Sequence, residues 1–264
     1  MTALLELRDV TVRYGDTTAV GGASLTLERG DVLGLVGESG SGKTTLGTAV
    51  LGLLPDTAAV EGDLRFEGRD LRALSRREAR ELRGAEIAAV FQNPGTALDP
   101  AYTIGDQLVE VFRAHRRISR REARAEAVAR LREVGIPAPE ERMKAYPHEL
   151  SGGMNQRVAI AMAIALNPAL LLADEPTSAL DVTVQAQILR LLRVMIAEHA
   201  GAVLLISHDL GVVAQLANRV AVMYDGEIVE QGPVRELFAR PRHDYTRHLL
   251  ASLPGRTPIE ARTA

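Results

Sequence analysis

Apolar residues in this chain recur with two periods, and the switches between them predict the order of its elements. Residues 4–12 alternate, with Leu5, Leu7 and Asp9 on one side and Glu6, Arg8 and Val10 on the other, which predicts a half-buried strand. Residues 23–27 alternate with Leu25 and Leu27 on one face, and Glu28-Arg-Gly-Asp31 then turns the chain. The runs 32–36, 169–173 and 203–207 are continuously apolar and predict strands buried on both faces, as in a parallel sheet. Shorter strands are expected at 62–67 and 87–91, and Asp225-Gly226 between 220–224 and 227–231 signals a hairpin. Helical spacing marks 45–54, 71–83, 104–115, 120–134, 155–166 and 183–199, with short closing helices at 233–239 and 245–253 and a frayed tail at 255–264. The block 104–166 is mostly helical and interrupts the strand series, so it reads as a helical subdomain inserted into a strand-built core.

One junction carries phosphate chemistry. Between strand 32–36 and helix 45–54 lies Gly37-Glu-Ser-Gly-Ser-Gly-Lys-Thr-Thr45, with Gly37, Gly42, Lys43 and Thr44 at the spacing of a phosphate-binding loop. Glycines let the backbone curl until successive N–H groups point into one concavity that a β- or γ-phosphate can fill. Ser39, Gly40, Ser41 and Thr45 belong to the same cradle. Lys43 adds a point charge, the Thr44 hydroxyl can reach a Mg²⁺ ion, and the helix N-terminus adds its positive end. A dinucleotide fingerprint would need a glycine three residues after Gly42, where Thr45 stands. The reading is a nucleoside triphosphate site.

Other strand ends supply its remaining chemistry. Asp174-Glu175 follows the run 169–173; the first carboxylate suits a Mg²⁺ ion and the second can take a proton from attacking water. Gln92, after strand 87–91, either reaches the metal or the water or is an ordinary loop residue. His208 ends the run 203–207, a strand end placed to border the γ-phosphate. Tyr14 either stacks on a purine or packs its ring on the core. Ser151-Gly-Gly153 opens the helix at 155–166, as a second phosphate cradle or as a helix start capped by Ser151. One phosphate loop with two phosphate-seeking elements suggests that two chains share each nucleotide.

Composition narrows the class. The 264 residues are 46% hydrophobic and 25% charged, which suits one or two packed domains. A net charge of −3 supplies no global pull towards nucleic acid or anionic lipid. The absence of cysteine excludes disulfides, thiolate metal sites and cysteine nucleophiles. The arginine-rich stretches 71–83 and 113–132 are interspersed with Glu78, Glu81, Glu122, Glu126 and Glu133 and carry no interleaved aromatics. They read as solvated helix faces, not as nucleic-acid patches. Residues 1–9 lack a signal-peptide layout, and the apolar run 158–173 is split by Asn167-Pro168 and too short to span a bilayer. A soluble, cytoplasmic protein is expected.

Together these segments resemble the ATP-binding subunit of ABC transporters over nearly the whole chain. Tyr14 matches the adenine-stacking aromatic, 37–44 the Walker A loop, Gln92 the Q-loop, and Leu150-Ser-Gly-Gly-Met-Asn-Gln156 the family signature. Asp174 matches the Walker B aspartate, Glu175 the catalytic glutamate, Ser178-Ala-Leu-Asp181 the D-loop and His208 the switch histidine. The resemblance implies an α/β fold: a P-loop NTPase core with a mostly parallel sheet, an N-terminal antiparallel β subdomain and an inserted helical subdomain. It divides a single ATPase domain into a core (1–91 and 167–240), a helical subdomain (about 92–166) and a C-terminal extension (241–264). It implies ATP and Mg²⁺, with Thr44, Gln92 and Asp174 at the metal and Asp181 among the nucleotide-binding residues.

The same resemblance implies a second ATP-binding subunit, identical or a sister chain, closing head to tail so that the Walker loop of one meets the signature of the other. The pair would drive transmembrane permease subunits from the cytoplasmic face of the membrane, served indirectly by an extracytoplasmic solute-binding protein. Phe91-Gln-Asn-Pro-Gly-Thr-Ala-Leu-Asp-Pro100, Ala-Leu-Asp-Val-Thr-Val-Gln-Ala-Gln187 and Tyr-Thr-Arg-His-Leu-Leu250 are similar to segments of the peptide/nickel importer subfamily. The implied solute is a di- or oligopeptide, or nickel. Asn155 stands where Arg is common, and Asp244 where Pro is usual. In the segment 93–116, Leu98, Tyr102 and Ile104 are candidate contacts with a permease helix. The other class considered, a soluble ABC-type ATPase acting on nucleic acid or ribosomes, typically carries a tandem cassette, a long coiled coil or zinc cysteines, and none is present.

Overall fold

The computed structural model describes residues 3–92, 97–178 and 180–252. In chain order its elements are β1 (Leu5–Tyr14), β2 (Thr17–Leu27), β3 (Val32–Val36), α1 (Lys43–Val50), β4 (Ala58–Phe66), β5 (Arg69–Asp70), α2 (Arg76–Leu82) and β6 (Ile87–Val90). There follow α3 (Ile104–His115), α4 (Arg120–Glu133), α5 (Pro139–Arg142), α6 (Gly152–Ala163), β7 (Leu170–Asp174), α7 (Val182–His199) and β8 (Ala202–Ser207). The chain closes with α8 (Leu210–Leu216), β9 (Arg219–Tyr224), β10 (Glu227–Pro233), α9 (Val234–Ala239) and α10 (Asp244–Ala251). Among the described residues no helix is long and apolar enough to cross a membrane. The expected tail at 255–264, Ala179 of the Ser178–Asp181 segment and 93–96 of the segment after Gln92 lie outside the described residues.

Two compact units emerge: Met1–Arg72 with Leu204–Ala264, and Ala73–Val203. The first unit contains an antiparallel sheet in the order β2-β1-β4-β5. Strict alternation along β1 places Asp9 with Leu5 and Leu7 in the core. The structure corrects this: Asp9 takes a φ of 49° and the register shifts between Leu7 and Val10. The bulge adds one residue to the period, so Asp9 faces solvent while Val10 and Val12 join Leu5 and Leu7 as buried residues. Strand β4 begins at Ala58, earlier than its apolar residues announce, because Glu61, Gly62 and Asp63 hide its start from a hydrophobicity reading. A second sheet of this unit runs β10-β9-β3-β8, with β3 and β9 parallel and β9 and β10 antiparallel across the Asp225-Gly226 turn. Gly34 lets α8 approach β3, since a Cβ there would lie 2.5 Å from Val213 Cγ1. Helix α8 itself escapes the periodicity reading: it is short, and Asp209 starts it by accepting from Gly211 N at 2.7 Å.

The second unit pairs β6 and β7 in parallel, Ile87 opposite Leu170 through Val90 opposite Ala173. Every residue of β7 is buried, as its unbroken apolar run requires. The stretch 71–83 is not one helix; a short 3₁₀ turn (Leu71–Ala73) precedes α2, whose Ser75 and Glu78 form a reciprocal cap. Helix α3 buries Ile104, Leu108 and Phe112 at four-residue spacing, and α4 buries Ala123, Ala127 and Leu131. Arginines in and just before α4 meet carboxylates, as in Arg132 with Glu140 and Arg116 with Glu126, each at 2.6 Å, which agrees with a solvated face. Leu98 and Ile104 are 2% and 0% exposed, so two of the three expected permease contacts are core residues instead. Tyr102 is 59% exposed.

Candidate functional site

In the first unit the phosphate loop connects the buried end of β3 to α1. Two glycines are obligatory for close approach: a Cβ at Gly37 would sit 2.1 Å from the Met223 carbonyl oxygen, and one at Gly42 would sit 2.4 Å from that of Ala19. Gly42 also holds a φ of 99° and precedes α1 without any side-chain cap. The first turn of the helix thus begins on bare backbone N–H groups, two residues earlier than its periodicity indicates. Lys43 is only 5% exposed. Its ammonium folds back across the loop and donates to Gly37 O at 2.9 Å, Glu38 O at 2.5 Å and Ser41 Oγ at 3.1 Å. Ser41 N–H closes the turn onto Glu38 O at 3.2 Å, and Gly226 N–H donates to Ser41 O at 3.2 Å. Ser39, Gly40 and Thr44 face solvent, and Thr45 is half-buried.

Tyr14 and His208 belong to the same unit. Tyr14 closes β1 opposite Thr17 and Ala58, its ring half-buried. His208 is exposed directly after the buried strand β8. One participant escaped the sequence reading: the Tyr245 hydroxyl on α10 accepts from Glu38 N–H of the loop at 2.9 Å. No local pattern signals a contact between residues 207 positions apart.

The second unit carries the acidic and signature residues. Asp174 ends β7 and is 7% exposed. Glu175 follows it, half-buried, with a φ of 46°. A non-glycine residue in that region stores local strain of order 1–3 kcal/mol, which persists only where the surroundings enforce it. Here Ser178 donates to the Glu175 carbonyl from both its N–H and its hydroxyl, at 3.3 and 3.2 Å. Gln92 is exposed past the end of β6.

Ser151 caps α6, accepting from Met154 N at 3.3 Å, so the capping reading of that motif holds. Gly152 at the first helical position is exposed, and a Cβ there meets nothing within 4 Å; one at Gly153 would lie 2.8 Å from Val184 Cγ1. Gln156, the last residue of the signature segment, makes a contact that sequence reasoning did not foresee. It is 1% exposed and donates from Nε2 to Pro176 O at 2.7 Å, tying the signature helix to the turn after Glu175. Asp181 caps α7 through Thr183 N and Val184 N at 3.1 and 3.0 Å. Asn155, in the place where Arg is common, donates to Pro147 O at 2.9 Å.

A family model described as "ABC transporter" matches residues 20–178, which spans the loop, the signature and the acidic pair. The chain belongs to the ABC transporter family. This ABC cassette is 49% identical over 260 residues to the oligopeptide transport ATP-binding protein OppD of Bacillus subtilis, covering 96% of this chain and 73% of that one. It is 47% identical over 257 residues to the dipeptide transport ATP-binding protein DppD of Escherichia coli, covering 96% and 79%. Among solved structures, the ABC cassette resembles the dimeric post-hydrolysis state of MJ0796 bound to ADP and Pi, at 30% identity and a TM-score of 0.76, over 88% of this chain and 99% of that one. The α/β fold, with an antiparallel N-terminal sheet, and the ATPase class expected from the sequence are those of the family.

Proposed function

We propose that this cassette is the ATP-hydrolysing subunit of an importer for di- or oligopeptides, with nickel as the minor alternative. It works at the cytoplasmic face of the membrane, paired with a second ATP-binding subunit and seated on transmembrane permease subunits, with an extracytoplasmic protein delivering the solute. The observation that carries the ATPase reading is the phosphate loop organised around the buried Lys43 ammonium. The solute assignment is supported by relatives that are 47–49% identical and are named as oligopeptide and dipeptide transport ATP-binding proteins. In this reading 1–91 and 167–240 form the nucleotide-binding core, about 92–166 the helical subdomain and 241–264 an extension.

Lys43 exchanges its carbonyl partners for the β- and γ-phosphates, while N–H groups from Ser39 to Thr45 line the anion and Tyr14 stacks on adenine. Thr44, Asp174 and Gln92 offer a hydroxyl, a carboxylate and an amide oxygen, the hard donors that suit Mg²⁺. When bound, that ion neutralises charge on the β- and γ-phosphate oxygens. Glu175 accepts a proton from water as the water oxygen bonds to the γ-phosphorus. The bond to the β–γ bridging oxygen breaks, and ADP departs with phosphate. His208 donates to the γ-phosphate, and the second subunit presents its own Ser151-Gly-Gly153 helix start and its Asp181 to the same nucleotide.

The test separates the two carboxylates. Glu175→Gln keeps shape but removes the proton acceptor, so turnover falls ~10²–10⁴-fold while MgATP binding is retained and a closed dimer accumulates on size exclusion. Asp174→Asn loses Mg²⁺-dependent binding together with turnover. Wild-type hydrolysis by Glu175→Gln would refute the assignment of the base.

A further inference from the structure

We infer that Tyr245 is a positioning residue for the phosphate loop, so that the docked C-terminal helix α10 sets the affinity of the site for nucleotide. The inference rests on Glu38, which is held at both ends of its backbone. Its N–H donates to the Tyr245 hydroxyl at 2.9 Å, and its carbonyl accepts from Lys43 Nζ at 2.5 Å and from Ser41 N at 3.2 Å. One residue therefore links a phenol on α10 to the loop, and its bond from Ser41 N keeps that link when Lys43 turns to phosphate. The hydroxyl acts from outside the cradle, on the loop and not on the ligand.

The phenol is itself built into place. Its ring packs on Tyr224, with centroids 4.2 Å apart and planes inclined by 36°. Tyr224 ends β9, one residue before the Asp225-Gly226 turn whose Gly226 N–H grips Ser41 O. Burial pushes the Tyr245 phenol above its ordinary range, so the group that accepts from Glu38 N–H is the neutral phenol. The start of α10 is pinned to β10: Glu230 accepts from Arg242 N at 2.9 Å and from His243 N at 3.0 Å, and His243 caps the helix by accepting from Tyr245 N at 3.2 Å. Burial raises the Glu230 carboxyl, but these hydrogen bonds outweigh it and hold the group below the usual carboxylate range. Two segments distant in sequence, Tyr224–Gly226 and Tyr245, thus converge on the loop at Glu38–Ser41.

The linkage is reciprocal: a helix that orders the loop for nucleotide must itself be tightened when nucleotide binds. This inference rests on the loop being the nucleotide site, so its test carries a control for that reading. Tyr245→Phe deletes one hydroxyl and keeps the ring stack. MgATP binding to the purified chain should weaken about three- to tenfold, the range of one net hydrogen bond. In the transporter, KM for ATP should rise by the same factor with kcat within about twofold, because a better-ordered loop favours ground and transition states alike. The melting temperature should stay near that of wild type. In wild type, a non-hydrolysable MgATP analogue should slow amide exchange across α10, and in Tyr245→Phe this protection should shrink. Unchanged KM and binding, or a loss of kcat alone accompanied by lower thermal stability, would overturn the inference. Lys43→Ala in the same binding assay separates the failures: if it binds like wild type, the loop is not the site, and if it loses binding while Tyr245→Phe does not, only the role of Tyr245 falls.

Discussion

Gly152→Asp tests whether two chains share one nucleotide, because the structure separates its effect on folding from its effect on the site. A Cβ at Gly152 enters open space, with no atom within 4 Å. Replacing glycine in a helix removes a backbone-entropy cost of roughly 0.5–1 kcal/mol. An aspartate in the first turn gains about 0.3–1 kcal/mol from the helix dipole. Nothing in α6 opposes the change, since its first turn holds no acidic residue. The isolated chain should therefore melt at or slightly above the wild-type temperature and bind MgATP as wild type does.

The shared site should respond very differently. A carboxylate about 4 Å from a γ-phosphate costs roughly 4 kcal/mol per pair of unit charges at an effective dielectric near 20. That is about a thousandfold. Turnover should fall by at least that factor, and Gly152→Asp added to Glu175→Gln should abolish the closed dimer that Glu175→Gln traps. Calorimetry on the single chain, steady-state hydrolysis and size exclusion read the three quantities separately. If nucleotide binding to the single chain collapses in step with turnover, or if turnover survives, the signature does not face a partner's nucleotide.

Two further outcomes follow. Burial, reinforced by the Arg130 guanidinium and opposed by Glu133 and Glu198, holds His199 below its ordinary range. The folded ring stays neutral, with Asn167 Oδ1 2.8 Å from Nδ1 and Arg130 Nη1 3.2 Å from Nε2. The stability it lends is complete above the unfolded value of about 6.5 and is lost as pH falls through the folded one; thermal melts should weaken over that window in wild type and less so in His199→Gln, and equal slopes would refute the linkage. Tyr102→Cys in the otherwise cysteine-free chain should cross-link to a permease subunit in vesicles, whereas cysteines at the buried Leu98 and Ile104 should not, and the reverse pattern would show that α3 meets the membrane partner by another face.

Much of the proposed site was legible because its chemistry is written in local order. The phosphate loop needs small residues, a lysine and a hydroxyl within one turn of chain, and Asp174-Glu175 needs only to follow a buried strand. The helix start at Ser151 was equally visible, since a cap is a contact over two or three residues. Strand β7 announced its burial on both faces through five consecutive apolar or strand-end residues.

What sequence could not decide is where period and proximity depart from local order. Whether Asp9 or Val10 enters the core depends on a bulge in β1, and a bulge shifts the side-chain period without changing composition. Whether Leu98 and Ile104 meet a partner or the core depends on what packs over them: Gly105, beside Ile104, abuts the Met143 backbone, where a Cβ would meet the carbonyl at 2.4 Å. The grip of Tyr245 on Glu38 joins two ends of the chain that only the folded sheet brings within hydrogen-bonding distance. Local sequence marked the groups proposed to bind phosphate and the order of most elements, but not where α1 and β4 begin or that α8 forms. Tertiary packing alone decided which residues hold those groups still, because a hydrogen bond of 2.9 Å between residues 207 positions apart leaves no trace in either segment's own pattern.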